Sequence, residues 1–388
     1  MPGIKDRVAV VGVGCTKFGE IWEKDQEDLL VESVYEALDD AGLTPQDIDA
    51  GWVGLMYNFT GFSGATMTEP LKLFGKPVTR VENFCASGMD AFRNACFAVA
   101  AGVYDVVVAC GVEKLLDQGG GGIPIDPIHP VLGHASAPAM FALAASRAFH
   151  EWGWTKEDLA NVAVKNHKNG AAHPKAHFRR PITVADAVNA PMISWPLGRF
   201  DCCAVSDGSA AIVITRPEIA KDTKHKDDYV VVKANALAIQ SLQPMYKVSY
   251  NWLGFPATRD AARVAYAEAG ITDPLKEISF AEVHDCFTST ELFNIGDLGF
   301  VADGKDAPAF VRDGHADVEG EVPINPSGGL KCFGHPIGAT GCRMIYEVTK
   351  QLQGRADGMQ VKDPKLGMAH NLGGPGSVCS VTILGRHD

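Results

Sequence analysis

Two successive rounds of strand and helix patterning constrain this chain more than any single residue does. The opening run Val8-Ala9-Val10-Val11-Gly12-Val13-Gly14 is short, apolar and closed by glycines, which reads as a buried strand. Leu30, Val34, Leu38 and Ala41 then recur at helical spacing up to Gly42, a helix stop. From Cys85 onward Met89, Phe92, Cys96, Val99 and Val103 keep one helical side apolar, Gly102 ends the helix, and residues 104–111 read as a strand. The same order returns after a polar, charge-rich stretch at 216–228: a strand from Tyr229, a helix over 260–270, a strand over 278–283, helices over 288–298 and 341–352, and strands over 367–369 and 377–384. This alternation predicts an α/β chain built from two halves of similar order.

At 388 residues the chain exceeds the usual single-core limit. The expected division is an N-terminal half over 1–220, with an inserted loop and helical region at about 115–197, and a C-terminal half over 228–388. Within the insertion, Gly119–Gly122 with Pro124, Pro127 and Pro130 reads as a loop rather than a phosphate cradle, because no Lys-Ser or Lys-Thr follows it. Helical patterns over 140–152 and 155–169 complete it, and such insertions commonly carry a binding surface.

No run of about 18 apolar residues predicts a membrane span. The first residues show no signal-peptide pattern and the last no peroxisomal address, so cytoplasmic residence is the expectation. Ten cysteines, two of them adjacent at Cys202-Cys203, are too sparse for a disulfide scaffold and read as reduced thiols. Without a Cys-x-x-Cys and with twelve scattered histidines, no metal site is expected. A net charge of −12 argues against a general nucleic-acid surface.

The chemistry-bearing residues fall in four short segments far apart in sequence: Asn83-Phe84-Cys85-Ala86-Ser87-Gly88, His284-Asp285-Cys286-Phe287, Gly334-His335-Pro336-Ile337-Gly338-Ala339-Thr340-Gly341 and Asn371-Leu372-Gly373-Gly374-Pro375-Gly376. They offer two thiols, two imidazoles and a glycine loop with free N–H groups. Cys85 stands where a strand turns into a buried helix, beside unpaired N–H groups and the positive end of the helix dipole, a setting that favours thiolate. Taken singly, Cys85 and Cys286 also read as buried core thiols and His335 as a turn residue before Pro336.

In this order and spacing the four segments resemble the thiolase superfamily, and specifically its SCP2-thiolase-like, acetyl-CoA acetyltransferase-type branch, over nearly the whole chain. Ordinary thiolases carry Asn-Glu-Ala-Phe at the second segment and a second Cys opening the last loop, where this chain has His284-Asp285-Cys286-Phe287 and Asn371. The resemblance implies a five-layer αβαβα fold, with Cys85 as the acyl-accepting nucleophile and His335 as its base. It also implies that His284, replacing an Asn, joins His335 in holding the thioester oxygen, that the backbone N–H groups of Cys85 and Gly373 form a second oxyanion site, and that Cys286 is the acid/base for the α-proton. Cys379 is the rival second thiol, but it falls in the alternating strand pattern of residues 377–382.

The function so implied is thiolytic cleavage of a 3-oxoacyl-CoA, or the reverse Claisen condensation, through an S-acyl cysteine. CoA and acyl-CoA are then substrates, and no cofactor is permanently bound. A ketosynthase-like condensing enzyme and a noncatalytic subunit of a larger complex are the alternatives. A homodimer and a small zinc-ribbon/OB-fold partner are also implied. Because CoA phosphates are anionic and the chain acidic, the basic stretch holding Lys165, Lys168, Arg179 and Arg180 is the expected CoA-binding segment, the other reading being a solvated loop. Met56, Phe59, Phe62, Met67 and Trp252 either line an acyl pocket or pack.

Overall fold

A computed structural model describes residues 3–118, 136–241 and 250–387, so the expected loop of Gly119–Gly122, Pro124, Pro127 and Pro130 lies outside the described residues. The first half runs β1 (Ala9–Cys15), α1 (Gln26–Ala41), β2 (Ala50–Gly54), α2 (Ala65–Leu71), β3 (Val78–Val81), α3 (Ser87–Ala100) and β4 (Val106–Glu113). Next come α4 (Ala137–Trp152), α5 (Lys156–Ala171), α6 (Val184–Val188), the hairpin β5 (Met192–Ser194) and β6 (Leu197–Gly198), then β7 (Gly208–Thr215) and α7 (Pro217–Ala220). The second half runs β8 (Val230–Ile239), α8 (Pro256–Ala269), α9 (Pro274–Glu277), β9 (Phe280–Val283), α10 (Thr288–Asp297), α11 (Ala307–Arg312) and α12 (Gly329–Phe333). It closes with α13 (Ile337–Leu352), β10 (Leu366–Gly373) and β11 (Val378–Arg386).

Nine strands hydrogen-bond in the order β3-β2-β4-β7-β1-β8-β11-β10-β9. The joint between β1 and β8 is only two residue pairs wide, Ala9 with Val231 and Val10 with Val230. Reading outward from it, β1, β7, β4 and β2 repeat the pairing senses of β8, β11, β10 and β9: antiparallel, antiparallel, then parallel. The chain is therefore a duplicated α/β unit. Helices α3 and α13 contact strands of both halves, α1 covers β1 and β7 on one outer side, and α8 covers β8 and β11 on the other. That makes five layers, with α3 and α13 in the middle.

The capping chemistry follows the residue types. Asp25 accepts the N–H groups of Glu27 and Asp28 and so starts α1 three residues before the first apolar position, while Gly42 closes it in the left-handed conformation at φ 73°. Helix α13 begins at Ile337, directly after Pro336 and four residues earlier than expected, and every one of its residues is buried. No helix among the described residues is long and apolar enough to cross a membrane.

Candidate active site

A strained turn presents Cys85. After β3 the chain reaches Phe84, whose φ of 51° lies in the left-handed region and costs a bulky residue about 1 kcal/mol or more. The Ser87 hydroxyl holds that turn by accepting the Asn83 N–H at 2.9 Å and donating to the Phe84 carbonyl at 2.5 Å. Cys85 stands just ahead of the first turn of α3 and is 8% exposed.

Glycines bring the matching junction of the second half against it. A Cβ on Gly88 would lie 2.3 Å from the Gly338 carbonyl oxygen, and one on Gly341 would lie 2.3 Å from the Met89 nitrogen. Only glycine lets α3 and α13 approach backbone to backbone here, so His335, two residues ahead of α13, arrives beside Cys85. Glu113, buried at the end of β4, fastens the same place: it accepts N–H groups of Met56 and Tyr57 at 3.1 Å each, Gly338 N–H at 2.9 Å and the Thr60 hydroxyl at 2.9 Å. Burial raises its carboxyl to about 7.

The second segment leaves the end of β9 and enters α10. Asp285 turns inward, where its carboxylate accepts Leu330 N–H at 2.6 Å, Lys331 N–H at 3.2 Å and the Asn166 amide at 2.8 Å. Anchored in this way, it sets the flanking His284 and Cys286 on the wall of a largely apolar pocket. Met56, Phe84, Cys85, Ala137, Phe141, Cys203, Phe287, His335, Gly374 and Pro375 complete the lining. Of the five apolar candidates from the sequence, Met56 reaches this pocket; Met67 is core, Trp252 packs half-buried against the core, and Phe59 and Phe62 are exposed.

The Cys85 sulfur and one nitrogen each of His284 and His335 lie within 4.8 Å of one another. Hydrogen bonds assign the proton positions. Thr340 Oγ1 donates to the Pro336 carbonyl at 3.0 Å, so in its 2.7 Å contact with His335 Nδ1 it accepts from Nδ1–H. His335 Nε2 is then a bare lone pair, buried and without a hydrogen-bond partner. The Asn371 amide donates to His284 Nδ1 at 3.0 Å, which puts the His284 proton on Nε2. One ring thus offers a base and the other a donor.

Burial governs the electrostatics. It pushes the Cys85 thiol up to about 12 against the opposing effect of the Gly374 N–H, and it lowers His335 to about 3, with Arg343 adding to the effect. It also carries His284 well below its usual value and, with Cys203 and Cys85 nearby, carries Cys286 well above. A helix-start position predicts a thiolate at Cys85; desolvation outweighs the dipole, and the resting pair is neutral thiol and neutral imidazole.

The Gly374 N–H faces the Cys85 sulfur, in a turn at φ 58°, and Gly373, the expected oxyanion donor, directly precedes it at the end of β10 opposite Val378. One expectation requires correction. Lys165 does not face solvent: it is buried on α5, with its ammonium 3.0 Å from Glu291 and 2.7 Å from the Ile324 carbonyl. Arg179 and Arg180 are exposed, as is Lys168, whose ammonium is 3.9 Å from Asp317. The Arg180 carbonyl, 2.9 Å from His167 Nδ1, ties this exposed segment to α5. Cys379 lies in β11 within the core and away from the pocket.

Sequence reading did not single out Glu113, Thr340 or Cys203. Thr340 was within reach, since a hydroxyl five residues after a motif histidine meets that ring when a helix starts between them. The position of Cys203 opposite Cys286, joined by its N–H to the Cys286 carbonyl at 2.9 Å, has no local signal.

Residues 8–120 match the family model for the thiolase N-terminal domain, and residues 242–386 match that for a thiolase C-terminal domain-like region. The chain is 38% identical over 394 residues to acetyl-CoA acetyltransferase of Methanothermobacter thermautotrophicus, which covers 98% of this chain and 99% of the relative. It is 30% identical over 392 residues to sterol carrier protein 2 of Bos taurus, covering 97% of this chain and 72% of that protein. A solved structure described as Ltp2-ChsH2(DUF35) aldolase superposes with a TM-score of 0.85 at 27% identity, covering 99% of this chain and 98% of that one.

Proposed function

The chain belongs to the thiolase family, in its SCP2-thiolase-like branch, and from that premise we propose that it cleaves a 3-oxoacyl-CoA with CoA, or runs the reverse condensation, through an acyl group on Cys85. The observation that carries this reading is the bare Nε2 of His335 and the Cys85 sulfur meeting in one apolar pocket with His284 and Cys286.

In the cleavage direction His335 Nε2 takes the Cys85 proton as the sulfur attacks the 3-keto carbon. The oxyanion formed there is held by the N–H groups of Cys85 and of Gly373 in the glycine turn, whose next N–H, that of Gly374, faces the sulfur. Breaking the bond between C2 and C3 leaves the acyl group on Cys85 and an enolate whose thioester oxygen receives Nε2–H donors from His284 and the newly protonated His335. One well-placed donor of this kind contributes roughly 3 to 4 kcal/mol. Cys286 protonates C2, releasing the thioester fragment that holds C1 and C2, acetyl-CoA where C2 is unsubstituted, and is left as thiolate; the shortened acyl group stays on Cys85. It then takes the proton of the incoming CoA thiol, CoA attacks the acyl group, and His335 returns its proton to the departing Cys85 sulfur. Cys85, His335 and Cys286 all end as they began.

Ketosynthase-like condensation is the weaker reading, because it has no use for the Cys286 thiol on the pocket wall. Exposed Lys168, Arg179 and Arg180 remain the proposed CoA phosphate contacts, without Lys165. Ten free cysteines suit a reducing, cytoplasmic compartment. A homodimer would add its second copy along β3, the open edge of the first half-sheet. Need for a companion protein, of the small zinc-ribbon/OB-fold kind, is supported by the DUF35 component of the aldolase relative and by the apolar hairpin where Met192, Ile193 and Trp195 are each more than half exposed.

The deciding experiment is incubation with a 3-oxoacyl-CoA followed by peptide mass spectrometry. The acyl adduct is expected on Cys85; an adduct only on another cysteine, or full turnover by Cys85→Ala, refutes the proposal.

A further inference from the structure

The histidines that look scattered in the sequence converge on Cys85, and we propose that Cys85, His284 and His335 form a reversible inhibitory site for a thiophilic divalent cation of the Zn2+ class. One sulfur and two imidazole nitrogens lie within 4.8 Å of one another, all three residues buried. His335 Nε2 is buried with a lone pair and no partner. Bond lengths of about 2.3 Å to sulfur and 2.0 Å to nitrogen set tetrahedral ligand separations of roughly 3.3 to 3.6 Å, so the three groups need to close by up to about 1.5 Å, within the reach of side-chain rotation. A thiolate with two imidazoles, and a fourth position open to the pocket, is a three-protein-ligand zinc set.

The outer contacts suit the same ion. A metal-bound histidine commonly has its other nitrogen tied to an acceptor, and Thr340 already holds His335 Nδ1–H at 2.7 Å. At His284 the proton must move from Nε2 to Nδ1. Asn371 allows that move, because its Oδ1 is buried without a partner, and a half-turn of the amide presents it to Nδ1–H. The tautomer shift costs no net proton. Cys85 alone loses one, to solvent, so each bound ion releases a single proton and binds more tightly as pH rises. Glu113 acts electrostatically on Cys85 and, in its ionised form, offsets the positive charge left by Zn2+ with one thiolate. Cys286 and Cys203 line the pocket but fall outside the converging set.

Co2+ titration of the whole protein reads this site without reference to catalysis. The expected result is a sulfur-to-cobalt charge-transfer band in the near ultraviolet with tetrahedral visible bands, saturating at one equivalent and displaced by Zn2+. Cys85→Ala should lose the charge-transfer band, while Cys286→Ala and Cys203→Ala keep it. In the unmutated protein Zn2+ at about ten times its Kd should slow iodoacetamide labelling of Cys85 roughly tenfold, with chelator restoring the rate. Absence of a charge-transfer band, a band that survives Cys85→Ala, or an unchanged Cys85 labelling rate each overturns the proposal. The labelling result stands even if a variant fails to fold, and a protein that binds Co2+ but forms no acyl-enzyme would refute the thiolase reading while leaving this one intact.

Discussion

Thr340 is the point at which a change that touches no substrate tests the assigned proton position. Its hydroxyl accepts His335 Nδ1–H at 2.7 Å and is fully buried, outside the pocket lining. Thr340→Val keeps the shape and removes the acceptor. Left in place, the Nδ1–H becomes a buried donor without a partner, at a cost of about 1 to 3 kcal/mol. The ring cannot escape by taking a second proton, since burial holds its pKa at about 3. Moving the proton to Nε2 relieves the orphan and removes the base. A tautomer bias of about 1 to 3 kcal/mol lowers the competent population roughly 5- to 150-fold. The expectation is a fall in kcat of that size with the KM for CoA unchanged, measured by consumption of the CoA thiol at constant pH. Thr340→Ser, which keeps the hydroxyl, should recover most of the rate. A folded Thr340→Val protein with normal kcat would show that His335 does not depend on this tautomer.

Cys286→Ala should still acylate Cys85 but lose deuterium exchange at the α-carbon of an acyl-CoA by about 10² to 10⁴, while Cys379→Ala keeps both; the reverse pattern would reassign the acid/base. Charge reversal at Lys168 and Arg179 together should raise the KM for CoA and spare kcat, and an unchanged KM would make this segment a solvated surface. Lys165→Met should instead cost roughly 3 to 5 kcal/mol in denaturant unfolding by stranding Glu291, with no effect on the KM for CoA in the fraction that folds. The pH dependence of Cys85 labelling follows from its raised pKa: because burial favours the neutral thiol up to about 12, the alkylation rate should climb through pH 7 to about 10 with no plateau. A plateau below pH 8 would mean a resting thiolate.

Elements with long apolar runs, such as β1, β4 and β8, were legible from period and punctuation. The short β2 with its two glycines and the half-buried β3 were not, since neither carries a run long enough to show. Helix α13 was read as starting at Gly341 because glycine counts as a helix breaker; Gly338 and Gly341 are inside it, where the crossing with α3 leaves no room for a side chain. Lys165 misled for a related reason. A charge count along the chain does not see that position 165 lies three residues after buried Val162 on α5, nor that an oppositely charged Glu291 waits in a distant helix.

The paired junctions of Cys85 and His335 were visible as local patterns, but their meeting is a consequence of the duplication. Two copies of one α/β unit share a middle layer, so equivalent helix starts are brought together, and residues 250 positions apart in sequence need no local signal to become neighbours. Rules of local structure then give way at this one place: Phe84 takes a left-handed backbone, Glu113 is a carboxyl buried between loop and helix, and His335 keeps a buried nitrogen without a partner. A fold does not retain such costs in its packed middle layer for stability. Each of the three departures acts on the Cys85 sulfur or on the nitrogen beside it, which is why the argument for function rests on their coincidence and not on any one residue.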